Sequence, residues 1–471
     1  MGKIQSIYAK LPVPLQHVAV SAYGAYWYWL RFGPGYKRNL SEYAKREQFD
    51  NSGWQSWQKN ALEILLRDAA TQVPFYVRAW NGDIKAAAIL GRLEALPLLE
   101  KESIRAEPDS FLRQDIKAKR RLIFNTSGST GTPIASIWTI QELRSSLALR
   151  EVRSARWAGV SFKLPRATFS GRMVEPDPES NGPYYRFNAI ERQVYFSAFH
   201  LRPDTAPLYV KALKKHRIQW MTGYSFSFYL LATFILDQNI KVPQLKAIIT
   251  TSEKLTPEMR SVMERAYRCR VFEEYSTVEN AVFASECGSG RLHISPDAGI
   301  VEILRPDGKA CEPGEVGEVV ATCLSRTYQP FIRYRLGDMA CWDEKPCSCG
   351  RAMPVLKEVT GRIEDAVMGV DGRQMVRFHG IFVEQPNVRE GQIIQETLSR
   401  IKVKVVPVNG FGSADARDIT QRVRQRLGLQ VEVIVESVES IPRTKAGKFR
   451  AVISLVRQEI SDSSKRFWSG S

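Results

Sequence analysis

The sequence predicts an α/β fold made of a large N-terminal domain and a small C-terminal α/β domain, and three observations carry that expectation. The 471 residues are 44% hydrophobic and 25% charged, enough for large buried cores and too many for one compact domain. Short β-branched runs alternate with helix-periodic stretches, as they do where helices cover a sheet. A turn-rich stretch, 361–372 (GRIEDAVMGVDG), then separates this region from a tail with its own pattern.

The elements follow in order. The uncharged run 18–30 (VAVSAYGAYWYWL) falls short of the roughly 20 residues that span a bilayer, and no small-residue cleavage site follows it. Its aromatics Tyr23, Tyr26, Trp27, Tyr28 and Trp29, flanked by Arg31, Lys37 and Arg38, fit a helix packed on the main domain and, as the second reading, a peripheral membrane contact. Residues 55–70 place Trp57, Leu62, Ile64, Leu65 and Ala69 near helical spacing, and 207–217 and 228–239 read as further helices. The runs 247–251 (AIITT), 270–272 (RVF) and 317–322 (GEVVAT) read as buried strands. Residues 166–200 look aromatic and irregular, a second candidate pocket wall. In the tail, 401–408 (IKVKVVPV) and 431–438 (VEVIVESV) alternate as strands around a basic helix at 414–427. The expected domains are 1–362 and 363–471.

Charge narrows the partners. With 67 Lys+Arg against 50 Asp+Glu, the formal charge of +17 favours nucleotides, coenzyme A, an acidic carrier protein or anionic lipid. No zinc-finger pair, basic-region heptad or RNA-recognition signature appears, so nucleic acid is not an expected partner. The seven cysteines, an odd number confined to 269–349, do not make a secreted disulfide framework, and the expectation is a soluble cytoplasmic protein.

Two constellations carry chemistry. The stretch 124–133 (FNTSGSTGTP) has glycines that free the backbone to bend around a phosphate, and hydroxyls and N–H groups that can donate to its oxygens. It lacks the spacing and the Lys-Ser/Thr of kinase and GTPase phosphate loops, and alone it is equally an ordinary flexible loop. Cys287, His293, Cys347 and Cys349 offer three thiolates and an imidazole, the soft tetrahedral set of a closed structural Zn²⁺ site; the alternative is four unrelated residues.

With the motifs that follow it, the stretch 126–133 resembles the adenylate-forming superfamily of acyl-CoA synthetases. Residues 274–279 (EYSTVE) match its Tyr-x-x-x-Glu element, 333–338 (RYRLGD) its ribose-binding aspartate motif, and 361–365 (GRIED) its hinge. The resemblance implies ATP as substrate and Mg²⁺ as cofactor. It implies roles for Ser127, Gly128, Ser129, Thr130 and Gly131 on the phosphates, Tyr275 on adenine, Glu279 on Mg²⁺ and Asp338 on the ribose. Arg362 would steady ribose or phosphate, Glu364 or Asp365 would be the pivot, and Lys448 falls where the family places its adenylation lysine. One departure stands out: Thr132 replaces the lysine that many members carry in the phosphate loop.

The likeness narrows to the phenylacetate–coenzyme A ligase branch. Residues 11–16 (LPVPLQ) and 21–24 (SAYG) resemble its capsular polysaccharide biosynthesis relatives in particular, and 391–396 and 441–448 resemble the branch too. The implied reaction is ATP-dependent activation of a carboxylic acid to an acyl-AMP, then transfer to coenzyme A. Transfer to an amine, hydroxyl or carrier protein, or a non-catalytic nucleotide-binding role, are the alternatives. The substrate pocket is expected near Gly223, with Trp220, Tyr224, Phe226 and Phe228 as candidate wall residues that read equally as core. The small domain is expected to be a mobile lid that turns after adenylation.

Overall fold

A helical layer opens the fold of the computed structural model, which describes residues 8, 11–118, 120–125, 134–172, 174–175, 180–198, 200–362, 367–368, 374–375, 379–382, 385, 387–408, 410–443 and 449–456. Helix α1 (Val13–Phe32) starts with Pro14 in its first turn, where a missing N–H costs nothing. Helix α2 (Tyr36–Arg46) follows, and α3 (Asn51–Gln72) is capped by Asp50, which accepts from Gly53 N–H at 2.7 Å. On α3, Leu62, Leu65, Leu66, Ala69 and Ala70 form one buried stripe at helical spacing.

Strands β1 (Arg121–Asn125) and β2 (Ala135–Thr139) form an antiparallel pair in which Asn125 faces Ala135. Helix α4 (Ile140–Arg150) leaves β2 directly through a capping box: Thr139 Oγ1 accepts from Glu142 N at 3.2 Å, and the Glu142 carboxylate accepts from Thr139 N at 2.8 Å.

Next come β3 (Arg166–Phe169), β4 (Tyr185–Asn188), β5 (Gln193–Phe196), α5 (Ala206–Lys215), β6 (Trp220–Tyr224), α6 (Ser225–Asp237), β7 (Ala247–Thr251), α7 (Pro257–Tyr267) and β8 (Arg270–Ser276). Strands β3 and β5 to β8 pair in parallel, with a helix between consecutive strands from β5 onward. Strands β6 and β7 are buried almost throughout, as parallel strands covered on both faces must be. Strands β9 (Phe283–Glu286), β10 (Leu292–Ile294), β11 (Gly299–Leu304), β12 (Val316–Cys323), β13 (Tyr334–Trp342) and β14 (Val355–Arg362) complete a sheet ordered β11-β12-β13-β14-β10-β9-β8-β7-β6-β3-β5-β4.

The expectation of an irregular segment at 166–200 is corrected here, because three strands lie in it. Buried ion pairs replace the apolar alternation that would have revealed them: Arg166 with Glu191, and Arg186 with Glu175 at 2.9 Å. Edge strand β4 is covered by α1, which meets it through Phe187 N donating to His17 Nδ1 at 3.0 Å. The α1 aromatics divide: Trp27 lies 6.5 Å from Phe124 between ring centres, whereas Tyr23 and Trp29 are exposed. Among the described residues no helix is long and apolar enough to cross a membrane.

The chain divides into two units, Met1–Leu336 with Ala340–Val359, and Gly337–Met339 with Thr360–Ser471. The second holds the short pair β15 (Val367–Met368) and β16 (Gln374–Met375), then β17 (Val388–Thr397), β18 (Arg400–Pro407), α8 (Ser413–Leu427), β19 (Glu432–Ser437) and β20 (Val452–Ser454). Its main sheet runs β19-β18-β17-β20. Alternation on β18 turns Ile401, Val403 and Val405 toward Ile419, Val423 and Leu427 of α8 in a core of its own.

Candidate active site

Parallel pairing brings the carboxyl ends of β3, β5, β6, β7 and β8 to one edge of the sheet, the edge where open α/β sheets bind ligands. Gly223 and Tyr224 end β6, and Tyr275 and Ser276 end β8. Gly223 pairs with Thr250, and Thr251 with Glu274, so these chain ends are neighbours. Gly223 has φ +141°, and a Cβ there would lie 1.9 Å from the Phe169 carbonyl oxygen. Only glycine fits.

Tyr224 is buried; burial and nearby Glu253 push its hydroxyl up to about 12, and the Gly171 backbone opposes them. Glu253 also accepts from Phe226 N at 2.9 Å, fixing the start of α6. Trp220 and Phe228 are core, the first against Phe162 and the second against Phe169.

Glu279 is buried just beyond β8, and its Oε1 accepts the Tyr334 hydroxyl at 2.9 Å. Arg326, fully buried, donates to the Glu279 carbonyl at 2.7 Å and to Ser136 Oγ at 2.8 Å, and its guanidinium lies 4.2 Å from the Trp138 ring centre. It thereby ties strand β2 to the Tyr-x-x-x-Glu turn. Helix α4 adds Arg150 to Glu274 at 2.9 Å and Ser146 Oγ to Asn280 Oδ1 at 3.2 Å. Thr277 Oγ1 is buried with no hydrogen-bond partner among the described residues, a donor two positions before Glu279.

Sequence reasoning missed Arg326, Thr277 and the part played by Tyr334. Tyr334 sits inside the 333–338 motif and Thr277 inside 274–279, so both were within reach; nothing in the pattern around Arg326 marks it.

Asp338 is buried on β13, in the Gly337–Met339 segment that belongs to the second unit. Arg362 is the last residue of β14, and its side chain is outside the description. Ser127, Gly128, Ser129, Thr130, Gly131, Glu364, Asp365 and Lys448 lie outside the described residues. The facing pair Asn125 and Ala135 marks the two strand ends between which 126–133 runs.

Cys287, His293, Cys347 and Cys349 come together, with all four ligand atoms within 4.8 Å of one another. Cys287 and Cys347 sulfurs are 3.6 Å apart, and Cys349 Sγ is 3.4 Å from His293 Nε2. Tetrahedral bonds of about 2.3 Å to sulfur and about 2.0 Å to nitrogen imply separations of roughly 3.5–3.8 Å, so the set fits such an ion. His293 Nδ1 is 3.2 Å from the Met353 carbonyl oxygen, which assigns the ring proton to Nδ1 and leaves Nε2 as the ligand. Burial lowers the His293 pKa, favouring the neutral ring that ligation requires. The cluster links the turn after β9, strand β10 and the segment before β14.

Comparison with known proteins completes the case. Residues 371–455 match the CapK C-terminal domain family. Protein CapK of Staphylococcus aureus is 27% identical over 383 residues, 78% of this chain and 81% of that protein. A phenylacetate-coenzyme A ligase of Aromatoleum evansii is 22% identical over 84% of this chain and 93% of its own length. The chain is similar to the adenylate-forming superfamily, on its phenylacetate–coenzyme A ligase branch, with CapK among its relatives. A crystal structure of 2-hydroxyisobutyryl-CoA ligase in the postadenylation state, with R3-HIB-AMP, has the same fold: TM-score 0.67 at 19% identity, covering 91% of this chain and 94% of that one.

Proposed function

We propose that this adenylate-forming enzyme activates a carboxylic acid with ATP and transfers the acyl group to coenzyme A. The observation that carries the reading is Glu279, buried and held by Tyr334 at the carboxyl edge of the parallel sheet, next to the strand that leads from the 126–133 stretch.

In the first half-reaction a carboxylate oxygen attacks the α-phosphorus, and the bond to the β-phosphate oxygen breaks, so pyrophosphate leaves with the electron pair. In the second, the coenzyme A sulfur attacks the acyl carbon, AMP leaves and the thiol proton is lost. Mg²⁺ held by Glu279 would neutralise phosphate charge. Lys448 stabilises the charge growing at the α-phosphate. Ser127 to Gly131 enclose the outer phosphates, Tyr275 lies on adenine, Asp338 accepts from the ribose hydroxyls, and Arg362 steadies ribose or phosphate. No covalent protein nucleophile is needed.

The domains 1–362 and 363–471 act as body and lid, pivoting at Glu364 or Asp365 so that Lys448 withdraws before the thiol enters. Cys287, His293, Cys347 and Cys349 hold a structural Zn²⁺ beside this machinery, a reading supported by the ligand spacing. The activity belongs in the cytoplasm, where ATP and coenzyme A are supplied. The packing of α1 on β4 supports a structural role for its aromatics over a membrane contact.

A panel of aryl, fatty and sugar acids in ATP–pyrophosphate exchange, with Mg²⁺ and without coenzyme A, tests adenylation. Exchange with any acid supports it; silence with all, despite ATP binding, favours the non-catalytic alternative. Adding coenzyme A and weighing the product then identifies the acceptor: a thioester supports the ligase, and an accumulating acyl-AMP points to an amine, hydroxyl or carrier protein.

A further inference from the structure

A cavity of about 110 Å³ lies beneath α1, with Tyr23, Trp27, Arg31, Arg172, Arg186 and Tyr195 in its lining. Its cations are not equivalent. Arg31 pairs with Glu191 at 2.9 Å and Arg186 with Glu175 at 2.9 Å. Among the described residues Arg172 meets no carboxylate; its guanidinium lies 4.7 Å from the centre of the Tyr195 ring. The cavity therefore presents aromatic walls and, among the described residues, a guanidinium at Arg172 that faces a ring and no carboxylate.

Two contacts connect it to the proposed adenylation machinery. The Gly171 backbone, one residue before Arg172, lies close enough to the Tyr224 hydroxyl at the end of β6 to lower its pKa. Trp27 meets Phe124 at the end of β1, two residues before Thr126. Tyr195, on the parallel strand β5, stands one residue from that strand's carboxyl end. The helix above sits close because Gly24 lacks a side chain: a Cβ there would lie 2.3 Å from Asn188 Nδ2.

We infer that this cavity seats the far end of the activated acid, and that the preferred acid carries a flat ring with a second negative charge that meets Arg172. The inference rests on the adenylation reading above. An apolar cavity of about 150 Å³ accommodates one benzene ring, so the space is on the scale of a single ring. Aromatic side chains take the faces of that ring, and Arg172 takes its distal anion. The aromatic run of α1, unexplained by the nucleotide motifs, acquires a role as a wall of the acid site.

The test uses the full-length protein and two acids that differ by one charged group, phenylacetate and 4-carboxyphenylacetate. Quenching of Trp27 emission, assigned with a Trp27→Phe variant, reads binding; ATP–pyrophosphate exchange reads adenylation. The dianion is expected to bind about tenfold more tightly than phenylacetate, the effect of one charge-assisted contact. Arg172→Gln is expected to erase that preference, so that the two acids bind alike. Equal binding of the two acids, a preference that survives Arg172→Gln, or no quenching by either overturns the proposal. Arg172-dependent binding without exchange keeps the anion-binding cavity and removes the adenylation reading and the acid-tail role built on it. Exchange indifferent to the second charge and to Arg172 does the reverse.

Discussion

The phenolic hydroxyl of Tyr334 donates to Glu279 Oε1 at 2.9 Å, joining the first residue of β13 to the acid that closes the Tyr-x-x-x-Glu element. The bond aims a buried carboxylate. A hydrogen bond to a charged acceptor contributes about 1.5–3 kcal/mol, so Tyr334→Phe is expected to slow ATP–pyrophosphate exchange by about tenfold or more. If Glu279 holds Mg²⁺, the loss concentrates in a higher Mg²⁺ requirement. A variant with unchanged Mg²⁺ dependence would assign the bond to packing alone.

Metal analysis of the purified protein should find about one zinc per chain, the stoichiometry of one closed four-ligand site. Cys349→Ser, or treatment with a strong chelator, is expected to remove the metal and lower the melting temperature, because ligands placed by separate loops lose their tie. A metal-free preparation with full stability would dispose of the assignment.

Gly223 offers a test of backbone geometry. At φ +141°, with the Phe169 carbonyl oxygen 1.9 Å from where a Cβ would stand, alanine cannot be accommodated without moving β6 away from β3. Backbone strain of this kind costs about 1–3 kcal/mol before the clash is counted. Gly223→Ala should therefore lower the unfolding free energy by at least that amount, read as a lower denaturation midpoint; an unchanged midpoint would mean that the two strands separate freely.

Much of this arrangement was legible in the sequence, for identifiable reasons. Strand β7 and helix α8 show because their burial is uniform or one-sided, which writes a clear period into the residue pattern. Cys347 and Cys349 show because thiolates grouped near a histidine have few other uses. Strands β3 to β5 did not show, because Arg166 and Arg186 are buried against Glu191 and Glu175, and a buried ion pair reads as surface in one dimension. Arg326 was invisible for a different reason: its partners, the Ser136 hydroxyl and the Glu279 carbonyl, are 190 and 47 residues away.

Glu273 predicts a pH dependence of stability. Burial and the neighbouring Glu286 raise its carboxyl from 4.5 to about 7, against the opposing pull of Arg260 and Lys254. An acid whose folded pKa is raised binds more protons folded than unfolded between those values, so stability falls as pH rises from about 4.5 to about 7. Glu273→Gln should flatten this part of the curve and leave the variant more stable than the native chain at pH 8, as read by denaturant midpoints. A curve of unchanged slope would show that the carboxyl titrates alike in both states.

Lys448 carries the sharpest prediction, because its proposed charge is needed in one half-reaction only. Attack on the α-phosphate builds negative charge on oxygens that a nearby ammonium stabilises, and removing one such group typically costs about 10²- to 10³-fold in rate. Lys448→Ala is therefore expected to reduce ATP–pyrophosphate exchange by at least that factor while the melting temperature stays unchanged. The thioester-forming half asks nothing of this lysine. Supplied with a ready-made acyl-adenylate and coenzyme A, the variant should form thioester at the native rate. Loss of both halves together would mean that Lys448 acts on binding or folding, and normal exchange would remove it from the mechanism altogether.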